Sequence, residues 1–214
     1  SMASGAYVSR LVIDDNSRIS LSNNDSNTGN TVFGKSAFNT SSDNASDYNT
    51  AFGELAMGTG SVAGATNCVA IGYKALEDIT SGDYNTALGS LALDALTTTN
   101  NNTAIGYGAM SSSTGASDCV FIGANAGADG NITGTGNIGI GSSALLSLVG
   151  GSGNVAIGYQ ALTGNTTGSR NIAIGHQSMN GSGGATVLDS DDNLFIGYDS
   201  GGGTWATAGT DGNT

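Results

Sequence analysis

The sequence predicts an all-β fold, a parallel β-solenoid with about ten rungs of roughly 17 residues. Two observations lead to this prediction. A motif of the form Asn-x-x-φ-Gly-x-x-Ala-φ, in which φ is a large apolar residue, recurs ten times, and the 214 residues include 36 Gly and no Pro. Self-similarity at a fixed period indicates stacked repeats, and strand ladders exclude proline because it has no backbone N–H to donate.

The motif glycines define the rung length. Neighbouring glycines are mostly about 17 residues apart, and the widest gap is the one between the last two copies. A single unit of this size cannot bury its own apolar face, so the units must stack. Ten rungs stacked at about 4.8 Å would span roughly 48 Å. The glycines are Gly34, Gly53, Gly72, Gly89, Gly106, Gly123, Gly141, Gly158, Gly175 and Gly197.

The three residues before each motif glycine are predicted to form a short strand. In one copy these are Val155, Ala156 and Ile157, and the other copies keep a β-branched residue or Leu first and a large apolar residue third. Because residues two apart share one face of a strand, we expect the first and third positions to form the core. The middle position is usually Ala or Gly, and we expect it to allow close contact between identical chains. After the glycine we expect a bend, a second short strand and a polar turn.

The first motif position is Asn in eight copies and Cys in two, at Cys68 and Cys119. Stacked side-chain amides form hydrogen-bonded ladders, so we expect one along the rod. The two cysteines lie three rungs apart, about 14 Å, which is too far for a disulfide within the chain. Their spacing matches no metal or redox motif.

The apolar content, the net charge and the length of apolar runs indicate which partners the chain can have. Each rung has only about three large apolar side chains, which is little against the entropy of ordering its backbone, so we expect a homotrimer around a shared axis. The net charge is -12, with five Lys and Arg against 17 Asp and Glu, which predicts no binding to nucleic acid. A helix needs about 20 apolar residues in a row to cross a bilayer. The sequence has no such run, so we expect no insertion into a membrane.

The repeats divide the chain. We interpret residues 1–4 as a tag remnant, residues 5–29 as an N-terminal capping segment and residues 30–201 as the solenoid domain. Residues 202–214 form a Gly-rich tail that we expect to lead into a further module.

Three stretches of the chain carry a resemblance to known families. The run Asn102-Thr103-Ala104-Ile105-Gly106 resembles the head repeats of trimeric autotransporter adhesins, which implies a trimeric, left-handed parallel β-solenoid (β-roll). The longer run from Ile157 to Leu162, and the segment from Ser17 to Asp25, resemble phage tail fibres or tailspikes that carry a C-terminal intramolecular chaperone of the endosialidase type. The resemblance covers residues 17–201. It implies a structural and receptor-binding fibre segment, on the virion tail or otherwise extracellular, whose partner is a host cell-surface glycan or protein.

One stripe of side chains is a candidate for receptor contact. The position just after the motif glycine holds Tyr73, Tyr107, Tyr159, His176 and Tyr198, and variable residues in the other copies. This variability predicts an exposed edge on which aligned rings stack against a sugar. The alternative interpretation is plain surface packing.

The sequence predicts no catalytic residues and no resident cofactor. Asp189, Asp191 and Asp192 lie in the longest insertion between motifs and are candidates for Ca²⁺ ligands, since carboxylates suit that ion. The alternative is a solvated loop.

Two alternative functions stay open. A polysaccharide-depolymerising tailspike needs paired acids beside aromatic walls. Here the acidic residues are spread over successive turns, Asp83 and Asp118 among them, and the single Trp, Trp205, lies in the tail. The second alternative is the head of a bacterial trimeric adhesin.

Overall fold

The computed structural model is an all-β solenoid. It describes residues 29–38, 45–181 and 190–202, together with two isolated two-residue strands. Ten three-residue strands form one parallel sheet, in which each strand pairs with the strands of the preceding and following repeats. This confirms the predicted repeat architecture. The described part of the chain contains no helix that could span a membrane.

The strands follow the motif copies in order. The first two, β1 (Val12–Ile13) and β2 (Ile19–Ser20), pair with each other in antiparallel fashion. The parallel sheet consists of β3 (Thr31–Phe33), β4 (Thr50–Phe52), β5 (Val69–Ile71), β6 (Thr86–Leu88), β7 (Thr103–Ile105), β8 (Val120–Ile122), β9 (Ile138–Ile140), β10 (Val155–Ile157), β11 (Ile172–Ile174) and β12 (Leu194–Ile196).

The register of the sheet keeps equivalent residues in line. Val155 of β10 pairs with Ile172 of β11 and Ile138 of β9, and the same correspondence holds along the whole sheet. Each motif position therefore forms a column that runs along the solenoid. A column places chemically similar side chains one strand spacing apart, about 4.8 Å.

The predicted assignment of strand faces is wrong. The middle residue of the strand is the one that is buried, as Ala104 and Ala156 show, whereas the first and third residues lie on the outer face. Period two identifies which side chains share a face, but it does not identify which face is inside. The interior beside the strand is narrow and accepts Ala, while the bulky β-branched side chains point outward.

The segment after the motif glycine also differs from the prediction. No second strand forms in the described rungs, because the residues two and four positions after the glycine adopt left-handed backbone conformations. Lys74 and Leu76 show φ values of 59° and 50°. The backbone still pairs from rung to rung, for example from the Met57 N–H to the Ala75 carbonyl at 3.0 Å. These hydrogen bonds between rungs offset the conformational free energy that the left-handed backbone conformations cost.

Only glycine fits the motif position itself. All ten motif glycines have φ between 132° and 142°, a region that side chains rarely allow. A Cβ atom added at Gly106 would also collide with the carbonyl group of Gly123 in the next rung. The chain can leave the sheet and bend into the turn at this position only because the stacked residues are all glycines, with no Cβ atoms to collide.

The core combines small strand residues with larger ones from the turn. The apolar residue four positions after the glycine is buried in most rungs, as Met57, Leu93 and Leu162 are. A third group of buried apolar side chains, including Ile79, Leu96 and Leu148, comes from later in the rung. The motif did not reveal this group, because it falls in the segment that varies most between copies.

The predicted asparagine ladder is confirmed. The Oδ1 atom of a buried Asn accepts a hydrogen bond from the backbone N–H of the equivalent residue one rung later, as between Asn154 and Asn171 at 3.0 Å. The Nδ2 atom of Asn154 donates to the Gly168 carbonyl at 2.8 Å. Each side chain therefore joins two rungs and also ties the end of a turn to its strand. Cys68 and Cys119 are buried in this column as free thiols, as predicted.

Candidate functional site

The five predicted contact residues form one exposed column. Tyr73, Tyr107, Tyr159, His176 and Tyr198 each follow a motif glycine, and the strand register aligns them along one edge of the solenoid. Among the tyrosines, the exposed fraction ranges from 45% at Tyr73 to 76% at Tyr198. We call this column the ring stripe. The predicted exposure and alignment of its members are confirmed, and their role in receptor contact stays a prediction.

Three members of the stripe stack on one another. The ring centroids of Tyr159 and His176 are 5.0 Å apart with 33° between the ring planes. Those of His176 and Tyr198 are 5.3 Å apart at 20°. We call these three side chains the ring ladder. Because the middle ring is covered on both faces, a sugar cannot stack on the face of His176 as the sequence-based hypothesis supposed.

The other two tyrosines stand apart from the ladder. Ser90 occupies the column between Tyr73 and Tyr107, and Ala124 and Ser142 separate Tyr107 from Tyr159. The Lys74 ammonium lies 5.7 Å from the centroid of the Tyr73 ring. Lys74 also pairs with Glu77 at 3.0 Å, and this hydrogen bond raises the pKa of the lysine.

An amide column runs beside the ring ladder. Gln160 and Gln177 each follow a ladder ring, and the Nε2 atom of Gln177 donates to Oε1 of Gln160 at 3.1 Å. Asp199 continues this column after Tyr198 and is exposed. All three residues have left-handed backbone conformations, with φ between 51° and 58°. We call these three side chains, two amides and one carboxylate, the amide ladder. The sequence did not predict that they follow the ring ladder from rung to rung.

The outer face of the sheet is a second candidate interaction surface. It consists of two columns of residues, the first and third positions of β3 to β12, and most of these are large and apolar. Phe33 and Phe52 stack at 5.0 Å at one end, and both are more than half exposed. Ile196 is 65% exposed at the other end. We call this surface the apolar face, and it replaces the alanine column as the expected site of contact between chains.

Two of the three candidate calcium ligands pair with an arginine. The Arg170 guanidinium donates to Asp192 at 2.6 Å and 2.8 Å and to Asp191 at 3.3 Å. This hydrogen bonding lowers the pKa of Asp192. Asp189 lies outside the described residues. Within residues 29–38, 45–181 and 190–202, no group of three or more His, Cys, Asp or Glu side chains is arranged to hold a metal ion.

Turn carboxylates form hydrogen bonds between rungs. Asp83 accepts from the backbone N–H and the hydroxyl of Thr66 at 2.7 Å and 2.8 Å. Asp118 accepts from the Asn101 side chain at 2.9 Å. These acids contribute to the stacking of the turns, in agreement with their spread over successive rungs. The absence of catalytic residues stays a prediction.

Comparison with known proteins provides no relative. No family model matches the chain, and no curated protein or solved structure matches it either. The likeness to fibre and adhesin repeats therefore stays a resemblance of short motifs.

Proposed function

We propose that this chain is a non-enzymatic, elongated segment of an extracellular attachment fibre, in a phage tail or a related surface adhesin, and that it acts as a left-handed homotrimeric β-roll. The observation that supports this proposal is the apolar face. The fibre assignment itself rests on the motif resemblance. In this proposal the solenoid is a rigid spacer, and the exposed ring stripe contacts a cell-surface receptor.

The area of the apolar face is similar to that of the apolar surface patches that often have a function in other proteins. Ten strands at about 4.8 Å, each three residues wide at about 3.3 Å per residue, give a strip of about 480 Å². The largest apolar patch on a typical monomer is about 300–600 Å² and is often functional. In the strip, the large apolar side chains are interrupted only by Thr31, Thr50, Thr86 and Thr103. Such a surface favours burial against an identical strip.

Geometry favours identical partners over an unrelated one. The strip repeats from rung to rung in register, so a second copy offers matching columns over its full length. Three chains with their strips on one axis cover all three strips at once, and this arrangement agrees with the motif resemblance. Three copies of the ring stripe then act together, and linked copies of a weak site bind much more tightly than one.

Solution mass tests the assembly. Light scattering should give three times the chain mass of 21.0 kDa. The double variant Ile105→Glu/Ile122→Glu places charges on the apolar face and should yield the monomer with its circular dichroism retained, because both side chains lie outside the core. The control Ser112→Glu adds a charge on an exposed turn and should stay trimeric. A wild-type mass equal to that of one chain would contradict the trimer, and the mass of two chains would replace it with a dimer.

Attachment and chemistry need separate assays. Fluorescently labelled protein should bind to whole bacterial cells, and binding to matrix-coated mammalian surfaces instead would favour the adhesin alternative. Incubation with purified capsular polysaccharide and lipopolysaccharide should release no new reducing ends. Release of reducing ends would contradict the non-enzymatic proposal and support a depolymerising tailspike.

A further inference from the structure

The ring ladder and the amide ladder occupy the same three rungs of one edge. Tyr159, His176 and Tyr198 stack at 5.0 Å and 5.3 Å, and the Gln160 and Gln177 amides are bonded beside them. We propose that this edge binds a neutral, extended β-1,4-linked glycan that lies parallel to the solenoid axis. The inference rests on the receptor-contact part of the proposed function and names its ligand class.

The stacking determines which groups meet a ligand. The two tyrosines cover both faces of the His176 ring, so the ladder offers ring edges, tyrosine hydroxyls and imidazole nitrogens to a ligand lying alongside it. A tyrosine hydroxyl donates and accepts, and a neutral imidazole has one donor and one acceptor. These groups suit sugar hydroxyls. Tyr159 is still 46% exposed in the ladder, so its edge is open to such contacts.

The spacing matches one sugar per rung. In an extended β-1,4-linked chain each pyranose advances by nearly the distance between neighbouring ladder rings, and alternate sugars are turned over, so that equivalent hydroxyls recur at every second residue. The ladder has the same alternation, since tyrosine recurs at every second rung with histidine between. An α-1,4-linked chain curves, so it loses this register after one or two sugars.

The amide ladder adds fixed hydrogen-bonding groups. One bond between Gln160 and Gln177 orients both amides, and each amide keeps further donor and acceptor capacity. Preorganised groups cost less entropy on binding than mobile ones. A second line of polar contacts therefore runs beside the rings at the same spacing.

Charge favours a neutral glycan. The chain carries a net charge of -12, and Asp199 lies at the end of the amide ladder. None of the residues in the two ladders is Lys or Arg, so an anionic polysaccharide would meet repulsion without a partner for its carboxylates or sulfates.

Calorimetry with defined hexasaccharides tests the inference. We expect cellohexaose or chitohexaose to bind the full chain at least tenfold more tightly than maltohexaose, the α-1,4-linked control. The variants Tyr159→Ser and His176→Ser should each weaken binding about tenfold. The matched control Tyr84→Ser removes a similarly exposed tyrosine outside the ring stripe and should leave affinity unchanged. Solution mass and circular dichroism of each variant measure whether assembly and fold are intact, and we expect both to be unchanged.

Three results of the hexasaccharide and variant experiments would each overturn the inference, and a fourth comes from comparison with the cell-attachment assay. The first three are equal binding of the β- and α-linked hexasaccharides, unchanged affinity in both ladder variants, and loss of the trimer in those variants, which would make the ladder a seam between copies. Attachment to cells without binding to either β-linked hexasaccharide would reject this ligand and leave the proposed function standing. If the protein binds a β-linked hexasaccharide but attaches to no cell, the ligand class stands and the proposed attachment function is rejected.

Discussion

The two cysteines interrupt the buried asparagine column, and their contacts show what the asparagines contribute. The Cys68 thiol lies 3.2 Å from the Gly82 carbonyl, where an asparagine in another rung places its Nδ2 at 2.8 Å from the corresponding oxygen. At Cys119 the sulfur accepts from the Asn137 N–H at 3.4 Å. Sulfur is a weaker partner than an amide for both groups, so each cysteine leaves two weak links in the ladder.

We predict that Cys68→Asn stabilises the protein by about 1 kcal/mol, because an amide replaces weak thiol contacts at a buried site. The measurement is urea unfolding at one fixed protein concentration. Cys68→Ala serves as the control, since it removes the thiol without adding an amide, and it should be less stable than wild type. Equal stability of the Asn and Ala variants would contradict the account of the ladder.

The same substitution should change the response to alkaline pH. Burial raises the pKa of the Cys68 thiol from 9.0 to about 11. Between these values the thiol of the unfolded chain ionises while the folded one stays neutral, so the free energy of unfolding falls as pH rises from about 9 to about 11. Cys68→Asn has no thiol at this position, and its stability should fall less over that range.

At the level of one rung, the core has one large side chain and one small one, and two positions can exchange these roles. The large side chain usually comes from the turn, but in two rungs it comes from the strand. Phe121 occupies the strand position that is Ala in most rungs, and Gly127 occupies the turn position that is otherwise Met or Leu in most rungs. A Cβ atom added at Gly127 would lie 2.7 Å from the Phe121 ring. The last rung repeats the exchange, since a Cβ atom at Gly201 would lie 2.7 Å from the ring of Phe195.

This exchange predicts a strong coupling between two substitutions. Phe121→Ala alone leaves a cavity and should cost about 3–5 kcal/mol, and Gly127→Leu alone should be destabilising because its side chain meets the phenylalanine ring. The double variant recreates an ordinary rung and should recover most of the loss. A double-mutant cycle from denaturant unfolding measures the coupling, and additive effects would show that the two positions do not share one volume.

The rung also shows how far the sequence determines the fold. The Asn column, the glycine bend and the in-line stacking were predictable because each depends on one residue type at one motif position. The face assignment failed because large residues were expected inside, whereas the interior has room for Ala beside a Met or Leu from the turn. The compensation between Phe121 and Gly127 was visible in the sequence, but it acquires meaning only when both positions are known to point inward.

The candidate site has the same limit. Alignment of the motif copies predicted the ring stripe, and three consecutive aromatic copies were enough to produce the ring ladder. The placement of the rings and of the amides depends on the left-handed backbone conformations after the glycine. Gln160, for example, has a φ of 54°. Such conformations are uncommon for residues other than glycine, so a pattern of residue types does not predict them.

At the scale of the whole molecule, the solenoid separates two sources of stability. Hydrogen bonds between rungs and the narrow core belong to each chain, as the buried Ala and Met side chains show. The apolar face is outside that core and contributes only when another chain covers it. A chain with a thin core of its own is therefore expected to gain a large part of its stability from assembly.

We predict that stability depends on protein concentration. If folded chains form a trimer and unfolded ones do not, each tenfold rise in concentration should add about 0.9 kcal/mol per chain to the apparent free energy of unfolding. Denaturant unfolding at three concentrations, each tenfold apart, measures this shift. The Ile105→Glu/Ile122→Glu variant, with its apolar face disrupted, should unfold at one midpoint at all three concentrations. A wild-type midpoint that stays constant would mean that the apolar face adds nothing to stability through assembly, because the chain alone would then supply all of it.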